Sequence, residues 1–360
     1  MKPTNLIRIA VPHSEVNARS WINFFPSRDR ALGFGNSGGE DTAFNTLLLA
    51  CMANSYVEGS SQLTGISGQT VRNHLRDKDP DMLILVNSDL IATLRVMGLL
   101  KKPLMIAMDW HDEMYYGNID TEGVIGTKNS RDTNYAYEYA TVSIVMKGLR
   151  FAIATIPVKE GSVLNMVRAA IHIVNNPGIK IRVLLMDGGF FSIDAINYLI
   201  SNNINFIMHV PKMGKGSAEI DKLYTTKSHN RKKKDQATSR FVTIYGKDKK
   251  GEMVLYAFAT NTTLPPICIF RIFKKRWGIE TGYRMIRKFL AKTTSRRYTI
   301  RLLYFYLAVL LYNFWVLLNL RAHRRIIADV LKAMVTSILV TVNPFSTNLY
   351  LENKTSGGEF

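Results

Sequence analysis

Alternating apolar and polar positions divide the chain into an all-helical first part and a later part in which strands and helices alternate. Residues 42–57 place their apolar side chains at the spacing of one helix face. Residues 60–76 predict two short helices joined by a turn at residues 65–67, which is the layout of a helix-turn-helix. A small helical hairpin with polar outer faces is the alternative interpretation. The side chains that a helix-turn-helix would present to a DNA groove are Gln69, Arg72, Asn73 and Arg76.

From residue 103 onward the pattern becomes α/β, and two of its apolar strands are followed directly by an acid. Strand 104–108 precedes Asp109, and strand 181–186 precedes Asp187. If these strands are parallel neighbours, their carboxyl ends meet at one edge of the sheet, and the two carboxylates lie together there. The other predicted elements of this part are strands 137–145, 150–158 and 205–210 and helices 161–175 and 192–202.

A polar, strongly basic stretch interrupts the α/β pattern at residues 212–250. Ten basic residues against two acids give residues 222–250 a net charge of +8. Residues 241–245 and 253–260 predict a strand pair, so the stretch is interpreted as a small β insertion. Such a charge run is most often a solvated loop, but near a cleft it would strengthen binding to duplex DNA. Its densest run of cations, RKKK at residues 231–234, includes Arg231, Lys232 and Lys233.

Residues 273–288, with the sequence FKKRWGIETGYRMIRK, predict a basic helix that carries one carboxylate. Eleven Lys or Arg and one acid between residues 271 and 301 give a net charge of +10. An apolar stripe on this helix would face a core and leave Glu280 at the edge of a cleft. An ordinary solvated basic face, with Glu280 in an i, i+4 ion pair, is the alternative. At about 100° per residue, one arc of about 60° holds four side chains: Phe273, Arg276, Glu280 and Arg287.

Residues 302–320 form an almost entirely apolar run between Arg301 and Arg321. Its length satisfies the test for a membrane span, and the same composition fits a core helix that is surrounded by protein. Its position directly after the basic helix favours the core helix. We therefore expect no membrane anchor.

The composition indicates a class of binding partner and excludes some kinds of cysteine chemistry. The 360 residues carry a formal charge of +19, concentrated in the two basic stretches, and 47% of them are hydrophobic, which is ample for buried cores. Localised positive charge together with many aromatic residues predicts a nucleic-acid partner. Two cysteines are too few for a zinc cluster or a disulfide framework. The first residues lack the apolar run of a signal peptide, so the expected compartment is the cytosol.

Three carboxylates from distant parts of the chain are the candidate catalytic residues: Asp109, Asp187 and Glu280. Brought together, they would repel one another unless cations bind, and Mg²⁺ is held by a few carboxylates together with phosphate oxygens. Two such ions clamp the attacking and leaving oxygens of an in-line phosphoryl displacement. An acid at a strand end is usually a turn former, so it is the combination that predicts nuclease-type chemistry.

The segments around Asp109 and Asp187 read IAMDWHDEMYYG and LLMDGGFFS. Together with the basic helix they resemble the DDE transposases of prokaryotic insertion sequences, in the group whose signature is Tyr-x2-Arg-x3-Glu-x6-Lys. The resemblance spans about residues 100–320. In this chain the signature positions are Phe273, Arg276, Glu280 and Arg287, with Phe in place of Tyr, Arg in place of Lys, and Lys288 adjacent.

The resemblance implies an α/β fold with a ribonuclease H-like core, a mixed sheet flanked by helices, and a β-rich insertion. A small helical DNA-binding domain would precede the core. The expected boundaries are residues 1–100 for the helical domain with its possible helix-turn-helix and 101–345 for the catalytic domain. The basic β insertion would occupy about residues 211–262, and residues 346–360 would form a tail.

The chemistry that the resemblance implies is DNA cleavage at element ends followed by strand transfer of the released 3′ hydroxyl into target DNA. Asp109 would bridge two Mg²⁺ ions, for which Mn²⁺ would substitute, while Asp187 and Glu280 would each complete one. The implied DNA- or phosphate-binding residues are Phe273, Arg276, Trp277, Arg287, Lys288, Arg72, Arg231, Lys232 and Lys233.

The implied partners are double-stranded DNA, as terminal inverted repeats and as target, and further copies of the chain in a homodimer or larger synaptic complex. The implied location is the cytoplasm of a prokaryote, at the nucleoid. The alternative function is a catalytically silent or repurposed transposase that binds DNA without cutting it.

Overall fold

The computed structural model describes residues 38–342, with gaps at 131, 147, 159–161, 212–218, 229–234, 249–250 and 323–324. The chain separates into two compact units. One, the helical unit, combines residues 1–90 with 284–360, and the other, the sheet unit, comprises residues 91–283. The domain boundaries expected from the sequence, at residues 100 and 345, remain predictions.

The helices and strands can be numbered in chain order. The helices are α1 Gly38–Ala53, α2 Val57–Thr64, α3 Gly68–Leu75, α4 Met82–Val96, α5 Val163–Asn175, α6 Ile193–Ser201, α7 Pro266–Phe273, α8 Gly278–Arg287, α9 Tyr298–Arg321 and α10 Ala328–Val342. The strands are β1 Leu104–Met114, β2 Ile125–Ser130, β3 Thr133–Met146, β4 Leu149–Pro157, β5 Ile181–Met186, β6 Phe206–His209, β7 Asp221–Lys227, β8 Gln236–Lys247 and β9 Met253–Thr260.

In the described part of the chain, the sheet unit is built on one nine-stranded mixed sheet. Its order is β2-β3-β1-β5-β6-β9-β8-β7, and β4 also pairs with β3. Strands β1, β5 and β6 are parallel, whereas β3 and β4 form an antiparallel hairpin beside β1. Helices flank this sheet, so the mixed α/β class and the ribonuclease H-like core expected above are confirmed.

Strand β1 lies in the middle of the sheet because its first half is apolar on both faces, as a doubly covered strand requires. The predicted parallel pairing with β5 is confirmed, and Met108 is the register partner of Met186. The predicted strand end at residue 108 is wrong, since β1 continues to Met114. Residues 110–113 are polar and were expected to turn, but the antiparallel partner β3 satisfies their backbone groups up to Met114.

The two helices that follow the strand hairpin start where the sequence places a capping serine. The hydroxyl of Ser162 accepts a hydrogen bond from the N–H of Asn165 at the start of α5, and that of Ser192 does so from Ala195 at the start of α6. Their apolar faces are buried. Both predicted helices are confirmed, within two residues of their expected ends.

The predicted continuous basic helix over residues 273–288 is wrong. Helix α7 ends at Phe273, Lys274–Trp277 is a 3₁₀ turn, and α8 begins at Gly278. At the start of α8 the helix packs closely against β4, because a Cβ on Gly278 would lie 2.5 Å from the Nε of Arg150. The apolar stripe of α8 is buried as expected, with Ile279, Tyr283 and Ile286 each less than a tenth exposed.

The insertion contains one more described strand than the sequence predicts. Strand β7 pairs with β8, and β8 pairs with β9. Arg240 fastens this edge because its guanidinium binds both carboxylate oxygens of Asp221, at 2.7 and 2.6 Å, and donates to the carbonyls of Thr262 and Leu264. The insertion thus extends the central sheet beyond β9.

In the helical unit, α9 is the one described helix that is long and apolar enough to cross a membrane. Within its most apolar window, 89% of the residues are buried. Asn313, in the middle of this helix, is fully buried and donates a hydrogen bond of 2.7 Å to Asn87 of α4. Protein therefore surrounds α9 and satisfies its buried amide, which agrees with the expected core helix.

Candidate active site

Asp109 lies inside the sheet unit, on the central strand β1, and is 7% exposed. One of its carboxylate oxygens accepts a hydrogen bond of 3.1 Å from the N–H of Trp110. Its backbone carbonyl accepts one of 2.9 Å from the hydroxyl of Tyr283, on α8. The strand and the helix together therefore fix the position of this acid.

Asp187 follows β5, next to Asp109 in the parallel register, and its side chain is 40% exposed. The chain then forms a short 3₁₀ turn, Gly188–Phe190. The ring of Phe190 stacks on the indole of Trp110 at 4.3 Å. A Cβ on Gly189 would lie 2.4 Å from the indole nitrogen of Trp110, so only glycine leaves room for this stack. The Gly-Gly-aromatic sequence after Asp187 thus packs against β1 next to Asp109.

Arg276 joins the two aspartates. Its guanidinium lies 2.8 Å from Asp109 and 3.4 Å from Asp187. The residue is 6% exposed, and the guanidinium carbon lies 5.2 Å from the centre of the Phe273 ring, in cation–π contact. Arg276 lies on the 3₁₀ turn between α7 and α8, and its side chain is buried.

Glu280, the third acid, lies in the first turn of α8 and is partly buried. Its charge is close enough to affect Asp109. Burial raises the pKa of Asp109 to about 6, Arg276 opposes this rise, and the negative charges of Asp187 and Glu280 add to it. All three acids predicted from the sequence therefore interact electrostatically within the sheet unit.

The chemistry of these side chains fits a divalent cation, although they do not form a complete coordination sphere. Among the described residues, no three His, Cys, Asp or Glu side chains are grouped so that they could hold a metal ion. Instead, carboxylate oxygens of Asp109 and Asp187 converge on the cationic guanidinium of Arg276. Carboxylate oxygens are the ligands that Mg²⁺ and Mn²⁺ prefer. Two carboxylates of the site therefore already surround one cation, the guanidinium of Arg276.

His209 belongs to the same site and was not predicted. It follows Met208, the register partner of Met186, so it lies beside Asp187 at the end of β6. Its Nδ1 is 4.0 Å from the Asp187 carboxylate, and its ring stacks on Phe273 at 6.1 Å. Burial lowers its pKa, against the opposing effect of Asp187. The signal available in the sequence was a polar residue ending a third apolar strand.

The two aromatic residues expected to stack on an unpaired base have different positions. Phe273 is 2% exposed and packs against His209 and Phe258. This placement favours a core role, because a buried ring cannot receive a base without rearrangement. Trp277 is partly exposed, with the ammonium of Lys274 lying 4.9 Å from the centre of its ring.

The other expected phosphate-binding cations are exposed, are paired, or lie outside the described residues. Arg287, on α8, is exposed. Lys288 forms an ion pair of 3.0 Å with Asp329. Arg72 is paired with Glu58. The remaining three, Arg231, Lys232 and Lys233, lie outside the described residues.

The two short helices predicted as a helix-turn-helix are present. Helix α2 ends at Gly65, which has the left-handed φ of +74° that favours glycine, and Ser67 caps α3. On α3, Gln69 donates to the side chain of Asn73. The layout agrees with the sequence analysis, and DNA contact by this pair stays a prediction.

Residues 158–314 match the family model of the transposase DDE domain. The matched segment covers just under half of the chain, includes Asp187 and Glu280, and begins after Asp109. This match supports a DDE transposase. Enzymes of this kind generally use divalent metal ions.

A solved structure shares the fold. The cryo-EM structure of the piggyBac transposase synaptic complex with hairpin DNA is similar to this chain with a TM-score of 0.56 and 11% sequence identity. The similarity covers 89% of this chain and 76% of that chain. At this identity it shows the fold alone. A comparison with curated proteins finds no match.

Proposed function

We propose that this protein is a DDE transposase that cleaves DNA at the ends of an insertion sequence and joins the released ends to target DNA. The observation that carries the proposal is the proximity of Asp109, within β1, to Asp187, which directly follows the parallel strand β5, with Glu280 close enough to raise the pKa of Asp109. The match of residues 158–314 to the transposase DDE domain supports it. We place the element in the prokaryotic group with the Tyr-x2-Arg-x3-Glu-x6-Lys signature, and the protein at the nucleoid.

Asp109, Asp187 and Glu280 would hold two Mg²⁺ ions, with Mn²⁺ as a substitute. When bound, such ions activate the attacking oxygen and stabilise the leaving oxygen of an in-line displacement. For this role Asp109 is held by two hydrogen bonds, one from the N–H of Trp110 to its carboxylate and one from the hydroxyl of Tyr283 to its backbone carbonyl. In the proposed DNA complex, the exposed Arg287 contacts a phosphate of the backbone.

The proposed partners are the terminal inverted repeats, the target DNA and at least one further copy of the chain, because two element ends must be joined in one event. The basic insertion would add sequence-independent contacts to the DNA backbone. The α2–α3 pair would add sequence-dependent contacts to the DNA. The competing function is a DNA-binding protein that has lost catalysis. The inward position of Arg276, which pairs with two of the acids, is the observation in its favour.

The test is cleavage of a supercoiled plasmid that carries the DNA flanking the gene, with Mg²⁺ or Mn²⁺, by the wild type and by Glu280→Gln. We expect the wild type to cut at the flanks, and Glu280→Gln to bind the same DNA without cutting it. Asp194→Asn, in the first turn of α6, is the matched control and should cut like the wild type. Binding without cutting by all three proteins would favour the DNA-binding alternative.

A further inference from the structure

Arg276 is buried, which distinguishes it from a phosphate-binding residue on the protein surface. Its side chain is 8% exposed, against 43% for Lys288. Both of its terminal nitrogens face aspartate oxygens, and its Nε is buried with no hydrogen-bond partner among the described residues. A buried guanidinium that leaves one donor unsatisfied is held by charge rather than by a complete hydrogen-bond set.

We propose that Arg276 is a resident counter-ion of the metal site, which occupies the place of the divalent cations until DNA arrives and then moves to a DNA phosphate. Metal loading and DNA binding are coupled through this one side chain. The proposal rests on the metal role that the proposed function gives to Asp109 and Asp187.

The first argument is electrostatic. Asp109, Asp187 and Glu280 place three negative charges close together in one site. Asp109 is almost fully buried there. Without a cation this arrangement is costly, and Arg276 supplies the cation in the metal-free protein. A divalent ion on the same oxygens repels the guanidinium, so the two positive groups exclude each other.

The second argument concerns where the guanidinium goes. A displaced arginine needs another anion, since an unpaired charge left in a buried place is strongly unfavourable. A DNA phosphate provides that anion, and guanidinium binds phosphate through two parallel hydrogen bonds. DNA thereby removes the competitor of the metal, and by thermodynamic reciprocity the metal must tighten DNA binding by the same factor.

The third argument is the local backbone. Arg276 lies on the 3₁₀ turn Lys274–Trp277, between the end of α7 and the start of α8. Hydrogen bonds of 3₁₀ turns are poorer than those of α-helices, and such turns inside helical segments often mark hinges. The partly exposed Lys274 and the exposed Lys275 directly precede Arg276, so the same turn presents positive charge to an approaching phosphate backbone.

The experiment measures Mn²⁺ affinity by isothermal titration calorimetry, with and without a duplex of the DNA flanking the gene. Asp109→Asn with the same duplex serves as the blank for Mn²⁺ bound by the DNA itself. For the wild type, we expect the duplex to tighten Mn²⁺ binding at least tenfold. For Arg276→Gln, we expect binding without DNA to be at least tenfold tighter than in the wild type, with less than a twofold further gain from DNA.

Two variants keep the interpretation clear. Arg276→Lys retains a positive charge, so its Mn²⁺ affinity without DNA should remain below that of Arg276→Gln. Arg271→Gln changes an exposed arginine of α7 and should behave like the wild type. Circular dichroism and thermal melting establish that each variant is folded. If Arg276→Gln does not fold, the comparison of Arg276→Lys with the wild type decides. Lysine pairs with the two aspartates less completely than arginine does, so the Arg276→Lys protein must bind Mn²⁺ more tightly than the wild type without DNA.

The inference is overturned if folded Arg276→Gln binds Mn²⁺ no more tightly than the wild type without DNA, or if DNA tightens both equally. It is also overturned if Arg276→Lys, as the only folded variant, binds Mn²⁺ like the wild type. Failure of the proposed function looks different. In that case Asp109→Asn leaves Mn²⁺ binding unchanged, whether or not Arg276 is altered.

Discussion

The hydroxyl of Tyr283 donates a hydrogen bond of 2.9 Å to the backbone carbonyl of Asp109. Tyr283 is 7% exposed and lies one turn after Glu280 on α8. The bond therefore ties the helix that carries one acid to the strand that carries another. We expect Tyr283→Phe to lower the free energy of unfolding by about 1 kcal/mol, the usual value of one buried hydrogen bond, and to reduce DNA cleavage by more than this loss of stability explains.

The measurement is urea denaturation beside plasmid cleavage at a temperature where all proteins are folded. Tyr135→Phe, on β3, is the matched control because its ring is 36% exposed and distant in sequence from the acids. It should change neither quantity. Equal cleavage by Tyr283→Phe and the wild type would mean that this bond does not hold Glu280 in its working position.

The raised pKa of Asp109 predicts how stability depends on pH in metal-free protein. Between pH 4 and about 6, Asp109 keeps its proton in the folded state but has lost it in the unfolded state. The folded state then binds more protons, so the free energy of unfolding falls as pH rises through this window. The difference of about two pKa units corresponds to about 3 kcal/mol.

Asp109→Asn removes this titration and should make the fall of the free energy of unfolding between pH 4 and 6 less steep. Denaturant unfolding at pH 4, 5, 6 and 7, with a chelator present, measures it. Glu138, whose pKa burial also raises, to about 7, contributes the same slope to both proteins. An identical pH dependence in the wild type and Asp109→Asn would show that folding does not raise the pKa of Asp109.

The meeting of Asp109 and Asp187 could be predicted because it follows from local signals. Each acid ends a short apolar stretch, and apolar strands of this kind pair in parallel inside a covered sheet. The continuation of β1 beyond Asp109 could not be predicted in the same way. Residues 110–113 read locally as a turn, and only pairing with β3 makes them a strand.

The inward direction of Arg276 also depends on contacts between distant residues. The sequence spacing places Phe273, Arg276 and Glu280 on one helix face, but α8 begins only at Gly278, against Arg150 of β4. A contact between residues 128 positions apart is invisible to a helical periodicity argument. His209 was missed although it ends a third apolar strand, because a single histidine at a strand end is a weak signal until the pairing of β5 with β6 places it beside Asp187.

Gly189→Ala should disturb the site without touching any acid. The added Cβ would lie 2.4 Å from the indole nitrogen of Trp110, whose ring is stacked on Phe190 and has no simple way to move. We expect a loss of stability in the range of about 1–3 kcal/mol that overpacking typically causes, and a shift in Trp fluorescence. Gly126→Ala is the control, because a Cβ there meets no atom within 4 Å. Unchanged fluorescence and stability in Gly189→Ala would mean that the stack tolerates the methyl group.

The amides of Asn313 and Asn87 test whether α9 is a core helix of the helical unit. Both residues are buried, and the bond of 2.7 Å between their side chains satisfies polar atoms that apolar neighbours cannot. Asn313→Leu leaves the Asn87 oxygen without this donor, so we expect a loss of about 1–3 kcal/mol, the cost of an unsatisfied buried group.

The double variant Asn313→Leu/Asn87→Leu removes both polar groups and should recover part of that loss, because two apolar side chains can pack together where one unpaired amide cannot. Thermal and urea unfolding of the wild type, both single variants and the double variant give the coupling between the two positions. Strict additivity of the two single losses would contradict the bond. If α9 faced lipid instead, it would tolerate Asn313→Leu, and the protein would be found in the membrane fraction. We expect all four proteins to remain in the aqueous fraction.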